Sequence, residues 1–378
     1  MDAGNSVFNR ESEFLLKAIF CSLYNDKSKN NLYDNRRIKM RVVTFGEIML
    51  RLAPDGYLRF NQVDHFQATY GGGEANVAVS LANYGVDAEF VTKLPTHEIG
   101  QAAINDLRRY GVETKHIARG GERVGIYFLE KGASQRPSKV IYDRAHSSIS
   151  TATTADFNWD EIFEGATWFH FTGITPALGD DATAICLEAC KAAKARGVKV
   201  SCDLNYRKKL WTREKAGQVM GELMEYVNVC IANEEDAADV FGIHAANTDV
   251  TKGEVNHEGY KDVAKQLKDR FGFDYVAITL RESISASDNN WAAMLYNGED
   301  YFFSKKYAVR IVDRVGGGDS FGGGLIYALL NNYEPQATIE FAVAASCLKH
   351  TIEGDFNRVS VAEVQALAGG DGSGRVQR

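Results

Sequence analysis

Strand-like and helix-like stretches alternate along most of this chain, and that alternation is what most constrains its fold. Short apolar, β-branched runs such as RVVTFGEI (41–48) and VKVSCDLN (198–205) are followed by helix-like stretches. Strands that alternate with helices of about 10–15 residues predict parallel strand pairs joined by crossover helices. We therefore predict an α/β fold, a three-layer sandwich with a mostly parallel central sheet between two layers of helices.

Two regions interrupt the alternation. Residues 48–70 and 120–150 carry strand-like segments with no helix between them, namely IMLRLAP, FQATY, RVGIYFLE and KVIYDRA. They predict a small antiparallel β-lid that projects from the α/β body. Ligands of open α/β folds bind at the carboxyl edge of the sheet, so we expect the lid to cover that edge. A projecting lid with alternating apolar residues could pair with a copy of itself, so we expect a homo-oligomer formed through it.

The first 39 residues differ in texture from the rest. Their apolar run, FLLKAIFCSLY (14–24), is interrupted by Lys17 and is too short for a membrane span of about 20 residues. The texture changes at Met40, which we expect to be the functional start, with residues 1–39 as an extension outside the core. A short docking helix over 12–24 is the alternative. The folded domain is predicted over residues 40–368 and a flexible tail over 369–378.

Composition and charge exclude several classes of function. With 43 Lys and Arg against 50 Asp and Glu, the formal charge is −7. This argues against a nucleic-acid-binding protein, which needs a basic face. Six cysteines in 378 residues do not form a disulfide framework, so we expect a cytoplasmic protein. The eight histidines have no metal-ligand spacing, and we assign none of them a catalytic role.

The segment IVDRVGGGDSFGGGLIYALL (311–330) carries the strongest chemical signal. We expect a strand to end at Val312, Gly316, Gly317 and Gly318 to follow, and Asp319 to open an apolar helix. Unpaired amides at the positive end of a helix dipole bind anions. The segment is neither a Walker A loop nor a G-x-G-x-x-G motif.

A carboxylate in such a loop would lie beside the bound anion. We expect the helix dipole to hold Asp319 ionised. A carboxylate beside a bound phosphate makes chemical sense if it accepts the proton of a hydroxyl that attacks phosphorus. The alternative is that Asp319 only caps the helix and the glycines only form a turn.

A second glycine cluster, YGGGEANVAVSLANYG (70–85), precedes another predicted helix. Gly72 and Gly73 would let a small polyol lie against the backbone, and Asn76 could bond one of its hydroxyls. A plain strand-to-helix turn explains the same residues equally well.

These two glycine blocks, in this order and at this separation, resemble the two signature regions of the ribokinase-like carbohydrate kinases over residues 40–365. The resemblance implies a sugar kinase that uses ATP and Mg²⁺, with Asp319 as general base and the amides of Gly316–Gly318 as the anion hole. It also implies that Asn233 and Asp236, in ANEEDA, bind the nucleotide and organise Mg²⁺ through water. Two residues depart from the family pattern: Arg314 replaces a small hydroxyl residue, and Asp236 replaces Glu.

Further stretches resemble the 2-keto-3-deoxygluconate kinases of that family, namely VTFGEIMLRLAP, RVGIYFLEKGASQRPSKVIYDRA, DLNYRKKLW, TLRESISASDNNW and HTIEGDFNRVS. This implies a sugar pocket lined by Tyr127 and Tyr142, with Arg144 and Arg207 contacting the substrate. A guanidinium matches a carboxylate bidentately, so two arginines suit a sugar acid better than a neutral sugar. A pair of surface or salt-bridged cations is the alternative.

For the nucleotide, the resemblance implies an edge of the ATP site at TLRESIS (279–285), near Thr279 and Arg281, together with Gly318. It also implies an adenine wall formed by the helix 341–354. The expected reaction phosphorylates the C6 hydroxyl of the sugar acid. A kinase of another sugar, such as fructose, and a non-catalytic sugar or nucleotide sensor are the alternatives. The C4 epimer of the substrate and the need for a monovalent cation, which relatives use, stay open.

Overall fold

The computed structural model describes residues 40–244 and 257–374. The chain divides between Met40 and Arg41, and the account below concerns the part that begins at Arg41. The predicted extension over 1–39, the docking helix that is its alternative, and the end of the predicted tail (375–378) lie outside the described residues. No helix in the described ranges is long and apolar enough to cross a membrane.

The strands of the described residues are β1 (Arg41–Phe45), β2 (Met49–Ala53), β3 (Gln67–Gly71), β4 (Asp87–Val91), β5 (Lys93–Leu94), β6 (Ala118–Arg119), β7 (Gly125–Glu130), β8 (Lys139–Asp143), β9 (Trp168–Thr172), β10 (Lys199–Asp203), β11 (Val229–Ala232), β12 (Tyr275–Ser283), β13 (Asp288–Tyr296), β14 (Tyr301–Phe303) and β15 (Tyr307–Arg310). The helices are α1 (Gly73–Asn83), α2 (Glu98–Arg109), α3 (Trp159–Ile162), α4 (Asp180–Ala195), α5 (Arg213–Met224), α6 (Glu234–Phe241), α7 (His257–Phe271), α8 (Gly317–Leu330), α9 (Pro335–Lys349) and α10 (Val361–Ala368). Short 3-10 turns cover Phe60–Gln62, Ile149–Thr151, Thr154–Asp156 and Pro176–Leu178.

The main sheet is mostly parallel, as predicted. Its strands lie in the order β14-β13-β12-β11-β10-β9-β1-β4, with β15 paired to β13. Every neighbouring pair from β4 to β12 is parallel, and the pairs that involve β13 are antiparallel. Such central strands read as continuous apolar runs because helices cover both faces. All five residues of β9 are buried.

Two apolar layers cover the two faces of this sheet. One cluster joins the sheet to residues of α4, α5, α6 and α7, such as Ile185 and Leu267. The other joins it to residues of α1, α8 and α9, such as Leu81, Phe321 and Ile339. The predicted three-layer sandwich is therefore confirmed.

The predicted lid is a separate sheet in the order β3-β2-β7-β8. Its outer pairs, β2–β3 and β7–β8, are antiparallel as expected. Its central pair, β2–β7, is parallel, so the lid is a mixed sheet. The reason is the connection: α1 and α2 lie between these two strands in the chain, and a crossover of that length can return the chain in the same direction.

Candidate active site

A cavity of about 1120 Å³ lies between the lid and the carboxyl ends of the main-sheet strands. Its wall includes Tyr142 from the lid, Asp203 at the end of β10, and both glycine blocks. The lid therefore covers the edge of the sheet at which a ligand was expected. The structure brings every predicted site residue to this cavity, namely Gly72, Gly73, Asn76, Tyr127, Tyr142, Arg144, Arg207, Asn233, Asp236, Thr279, Arg281, Gly316, Gly317, Gly318 and Asp319.

The two glycine blocks meet at Asp319. Nδ2 of Asn76 donates a hydrogen bond of 2.6 Å to Oδ2 of Asp319, and Oδ1 of Asn76 accepts one of 3.3 Å from the amide of Gly72. A Cβ atom added to Gly73 would lie 3.5 Å from Oδ1 of Asp319. Helices α1 and α8 thus begin side by side at this carboxyl group. One N–H of the Asn76 amide, predicted for a substrate hydroxyl, is bonded to Asp319 instead.

Gly72 has a packing role that the sequence did not reveal. It is the N-cap residue of α1, and a Cβ there would come 1.9 Å from the carbonyl oxygen of Glu47. A side chain at this position would collide with the backbone. The strand-to-helix turn named as the alternative interpretation is therefore sufficient to explain this glycine.

The loop before α8 is a tight turn. The amide of Gly317 donates to the carbonyl oxygen of Arg314 over 3.4 Å. Gly316 has φ +83° and ψ −1°, the left-handed conformation that a type II turn needs at its third residue. Helix α8 begins at Gly317 with Gly316 as its N-cap. The sequence analysis expected Asp319 to open the helix or, as the alternative, to cap it. Instead, Asp319 is the third residue of α8.

Free amides remain at this helix start. Within the described part of the chain, the amides of Gly316, Gly318 and Asp319 have no hydrogen-bond acceptor, whereas that of Gly317 closes the turn. The three free amides are therefore those of Gly316, Gly318 and Asp319, and not those of Gly316, Gly317 and Gly318 as predicted. Amides at the positive end of a helix attract anions, so this loop, called the anion loop below (Gly316–Asp319), can hold a phosphate.

Burial raises the pKa of Asp319 to about 6. The hydrogen bond from Asn76 opposes this rise, the neighbouring carboxyl of Asp355 adds to it, and the charges of Arg207 and Lys349 oppose it. The expected stabilisation of the ion by the helix dipole is thus outweighed by desolvation. A carboxyl with a pKa near 6 is ionised at neutral pH and is still basic enough to accept a proton.

Arg144 is partly engaged by the protein itself. It forms an ion pair with the buried carboxylate of Glu47, whose other oxygen accepts a hydrogen bond of 2.8 Å from Ser147. The Arg144 guanidinium lies 5.5 Å from the ring centroid of Tyr142. Its Nε atom is buried and has no hydrogen-bond partner among the described residues. Sequence reasoning missed Glu47, whose only signal is an acidic residue two positions after the apolar strand β1.

Tyr127 is also engaged, through a buried ion cluster beneath the lid. Its hydroxyl donates 2.6 Å to Asp355. Arg51 in β2 pairs with Asp313 at 2.6 Å and with Asp355 at 2.7 Å. If Tyr127 contacts the sugar as predicted, it does so through its ring, because its hydroxyl is already bonded to Asp355. Sequence reasoning missed these partners, although an arginine within the apolar run MLRLA was a signal.

Arg207 lies near three carboxyl groups of the cavity wall. Its charge opposes the rise in the pKa of Asp203, Asp236 and Asp319. Burial raises the pKa of Asp203 well above its usual range and that of Asp236 to about 6. Nη1 of Arg207 donates 3.1 Å to the carbonyl oxygen of Tyr206. Sequence reasoning did not single out Asp203.

Asn233 and Asp236 form the first turn of α6. The side chain of Asn233 accepts 2.8 Å from the Asp236 amide, and Asp236 accepts 3.0 Å from the Tyr206 amide. Among the described residues, no group of three or more His, Cys, Asp or Glu could hold a metal. Mg²⁺ ordinarily takes one or two carboxylates, water and phosphate oxygens. The carboxylate of Asp236, which lines the cavity, fits a magnesium ion that is bound chiefly by nucleotide phosphates.

Most of the helix 341–354, predicted as an adenine wall, does not border this cavity. Of these residues, all within the described ranges, only His350 borders the cavity. Phe341–Ser346 are buried, because α9 packs against α8 and the main sheet rather than against the cavity. Burial lowers the pKa of His350 to about 4.

Comparison with known proteins gives matches over most of the chain. Residues 39–358 match the family described as pfkB family carbohydrate kinases. The crystal structure of 2-dehydro-3-deoxygluconokinase from Thermotoga maritima is 55% identical, covers 88% of this chain and 98% of its own, and gives a TM-score of 0.85. The 2-dehydro-3-deoxygalactonokinase of Haloferax volcanii is 31% identical over 87% of this chain and 97% of its own. A putative ribokinase II from E. coli, solved with ATP and Mg²⁺, shares the fold at 18% identity, covering 86% of this chain and 98% of its own, with a TM-score of 0.72.

Proposed function

This chain belongs to the pfkB family of carbohydrate kinases, and from that premise we propose that it phosphorylates the C6 hydroxyl of 2-keto-3-deoxygluconate (2-dehydro-3-deoxygluconate) with ATP. As a sugar kinase it is a phosphotransferase. The observation that carries the proposal is a carboxyl group of pKa about 6 beside free amides at the wall of a covered cavity. A base and an anion site in contact are what transfer from a phosphate to an alcohol needs.

Asp319 is the proposed general base. Oδ2 accepts the hydrogen bond from Asn76, and we propose that the other carboxyl oxygen takes the proton of the C6 hydroxyl as that oxygen attacks the γ-phosphorus. Asn76 fixes the orientation of the carboxyl group. The amides of Gly316, Gly318 and Asp319 would stabilise the charge on the phosphoryl oxygens, because fixed donors in a covered site need no reorganisation during the reaction.

Arg144 and Arg207 are the proposed contacts of the substrate carboxylate. Both border the cavity, and the buried Nε of Arg144 lacks a partner within the described ranges, so it is open to an acceptor on the substrate. A buried donor without a partner costs free energy that a bound carboxylate would recover. Gly72, Gly73 and the rings of Tyr127 and Tyr142 would enclose the sugar chain.

The nucleotide would lie on the opposite side of the anion loop. Asn233, Thr279, Arg281 and Gly318 border the cavity and are the proposed contacts. Asp236 would hold Mg²⁺ through water. When bound, Mg²⁺ supplies positive charge to the phosphate oxygens and keeps them in a fixed geometry.

The C4 epimer, 2-keto-3-deoxygalactonate, is the second candidate substrate. The 31% identical relative from Haloferax volcanii bears the galactonokinase name, whereas the 55% identical structure bears the gluconokinase name. The higher identity favours the gluconate epimer. A kinase of fructose would need no arginine for a carboxylate, and a non-catalytic sensor would need no base.

We also propose that two copies associate through the outer face of the lid. Ile141 on β8 is 54% exposed. Leu50, Ile126 and Phe128 share its face of the lid in the strand register and are half-buried. Apolar area of this kind favours association. We place the protein in the cytoplasm, since the described cysteines are free thiols and disulfides are rare there.

A coupled assay for ADP release tests the proposed function. The chain is incubated with ATP and Mg²⁺ and with 2-keto-3-deoxygluconate, its C4 epimer, fructose or ribose. We expect the highest kcat/KM for the gluconate epimer, and a product phosphorylated at C6 by NMR. Faster turnover of a neutral sugar would contradict the substrate assignment, and no turnover of any sugar would favour the sensor.

A further inference from the structure

Two arginines without acidic partners border the cavity beside the anion loop. Arg281 belongs to β12, and Arg314 opens the turn that precedes α8. Nη2 of Arg314 donates only weakly, over 3.4 Å and 3.5 Å, to the carbonyl oxygens of Ser285 and Ala286. In the described part of the chain no carboxylate forms an ion pair with either guanidinium. Each therefore carries its charge into the cavity wall without a counter-ion.

The two guanidinium groups are close enough to repel one another. Burial lowers the pKa of Arg314, and the positive charge of Arg281 lowers it further. Like charges held together disfavour the charged form. An anion between them would remove that cost, so the pair is arranged for an anionic ligand.

Unpaired buried polar atoms lie on the same wall. Asn289 is 2% exposed and Trp291 is 6% exposed, and both border the cavity. Oδ1 of Asn289 and Nε1 of Trp291 have no hydrogen-bond partner among the described residues. In the register of β12 and β13, Trp291 is opposite Arg281, so their side chains share a face of the sheet. Buried polar atoms are normally bonded, so these atoms point independently to a ligand.

We propose that Arg281 and Arg314 together bind the phosphate chain of the donor nucleotide, on the nucleoside side of the transferred group. This inference rests on the proposed function for the presence of a nucleotide donor. The anion loop begins two residues after Arg314, so a chain whose last phosphate lies at that loop has its next phosphates beside Arg314. A guanidinium fork can donate to two phosphate oxygens at once.

Arg314 makes this pair a departure from the family pattern. Arg314 stands where the ribokinase-like kinases that the sequence resembles mostly have a small hydroxyl residue. A hydroxyl can make one neutral hydrogen bond, whereas a guanidinium adds a full charge and several donors. Affinity for the donor would therefore depend on the number of its phosphates and on salt concentration.

Isothermal titration calorimetry with a series of ligands tests the proposal. ATP, ADP, AMP, adenosine and inorganic tripolyphosphate are titrated into the full chain and into Arg281→Ala and Arg314→Ala. We expect each variant to weaken ATP and ADP by about 10-fold to 100-fold, the effect of one charge-assisted hydrogen bond. Adenosine should bind each variant within about twofold of the wild type. Tripolyphosphate should compete with ATP in the wild type and lose that ability in the double variant.

Arg310→Ala is the matched control. Its side chain is 82% exposed and pairs with Asp288 at 3.3 Å, and it lies outside the cavity lining. It removes the same charge and should leave all affinities unchanged. Arg281 is exposed and should tolerate alanine, and unchanged adenosine binding shows that a variant is folded.

Three outcomes would overturn the inference. Equal weakening of adenosine and ATP would mean that the arginines contact the nucleoside. Weakening of ATP but not ADP would restrict them to the transferred group, and unchanged ATP binding in the double variant would remove them from the site. The proposed function fails separately, if the chain phosphorylates another sugar while the arginines still control ATP affinity. A wild type that binds no nucleotide would overturn both.

Discussion

Asn76 and Asp319 are 243 residues apart in the sequence, yet Nδ2 of one donates a 2.6 Å hydrogen bond to Oδ2 of the other. This contact joins the first turns of α1 and α8, the two helices that follow the glycine blocks. It holds the carboxyl group at the cavity wall and stabilises its ionised form. The proton acceptor, its orienting amide and the anion loop are therefore one unit, built where two helices begin.

Replacing Asp319 with Asn should remove nearly all turnover while leaving ligand binding intact. The amide has almost the same shape but cannot accept a proton, and general base catalysis contributes about 10²–10⁴-fold. We expect kcat to fall by that factor in the coupled assay, with the Kd of ATP within about twofold by calorimetry. Asp181→Asn is the matched control, because Asp181 lies in the first turn of α4, exposed and outside the cavity. Retention of more than about 5% of kcat would exclude Asp319 as the base.

The reaction rate should fall at acid pH, because Asp319 becomes protonated there. That pKa is about 6, raised by burial, and the base works only when ionised. Activity should therefore be fully present well above pH 6 and should be lost as the pH falls through about 6, tenfold per unit below it. The pH profile of kcat/KM reports this group in the free enzyme. Full activity at pH 4.5 would contradict the assignment.

Asn76→Ala should move the acid limb of the pH–rate profile, which is the fall in activity below about pH 6, to higher pH. Asn76 donates to the ionised carboxylate and so lowers the pKa of Asp319. Without this bond the pKa rises, by about one unit if the bond contributes about 1.4 kcal/mol. Ser80→Ala is the control, since Ser80 bonds the carbonyl oxygen of Asn76 at 3.0 Å and not the carboxylate. A limb that stays near pH 6 in Asn76→Ala would show that the hydrogen bond does not set the pKa.

Selectivity for the acid should depend on Arg207 and Arg144. We expect Arg207→Ala to lower kcat/KM for the sugar acid by about 10-fold to 100-fold, the value of one charged hydrogen bond, and to leave a neutral sugar unaffected. Arg144→Ala would strand the buried Glu47, so it should be combined with Glu47→Gln. Arg310→Ala provides the charge control. Equal losses for acid and neutral sugars would mean that these arginines do not read the carboxylate.

The body of the fold could be predicted because its signals are local. Apolar runs that end at glycine give the strands, and periodic stretches such as α2 give the helices. The strands β13 and β14, which extend the main sheet past β12, were not predicted. The strand expected to end at Val312 is β15, which ends at Arg310. All but two of the nine residues of β13 are buried, so its sequence lacks the alternation by which a strand is recognised.

The site could be located from its glycines but not assembled from them. Arg51 and Asp355 are 304 residues apart, and nothing local says that an arginine on the lid will meet a carboxylate near the end of the chain. The start of α8 depends in the same way on the left-handed turn at Gly316. The ion-pair partner of a residue and the first residue of a helix are set by tertiary packing, which the identity of a single residue predicts only weakly.

The buried ion cluster yields a prediction about stability. Arg51 is 3% exposed and neutralises Asp313 and Asp355. Arg51→Met keeps the apolar stem but strands both carboxylates, and breaking a buried pair costs about 3–5 kcal/mol. We expect the free energy of unfolding, measured by urea titration, to fall by that amount, whereas the exposed Arg310→Met should change it by about 0.5 kcal/mol or less.

Since Tyr127 holds Asp355 from the lid at 2.6 Å, proteolysis should also cut the lid of Arg51→Met faster than the α/β body. A loss below about 1 kcal/mol with an equally resistant lid would mean that water reaches the two carboxylates once the arginine is gone, and that the cluster does not hold the lid to the anion loop.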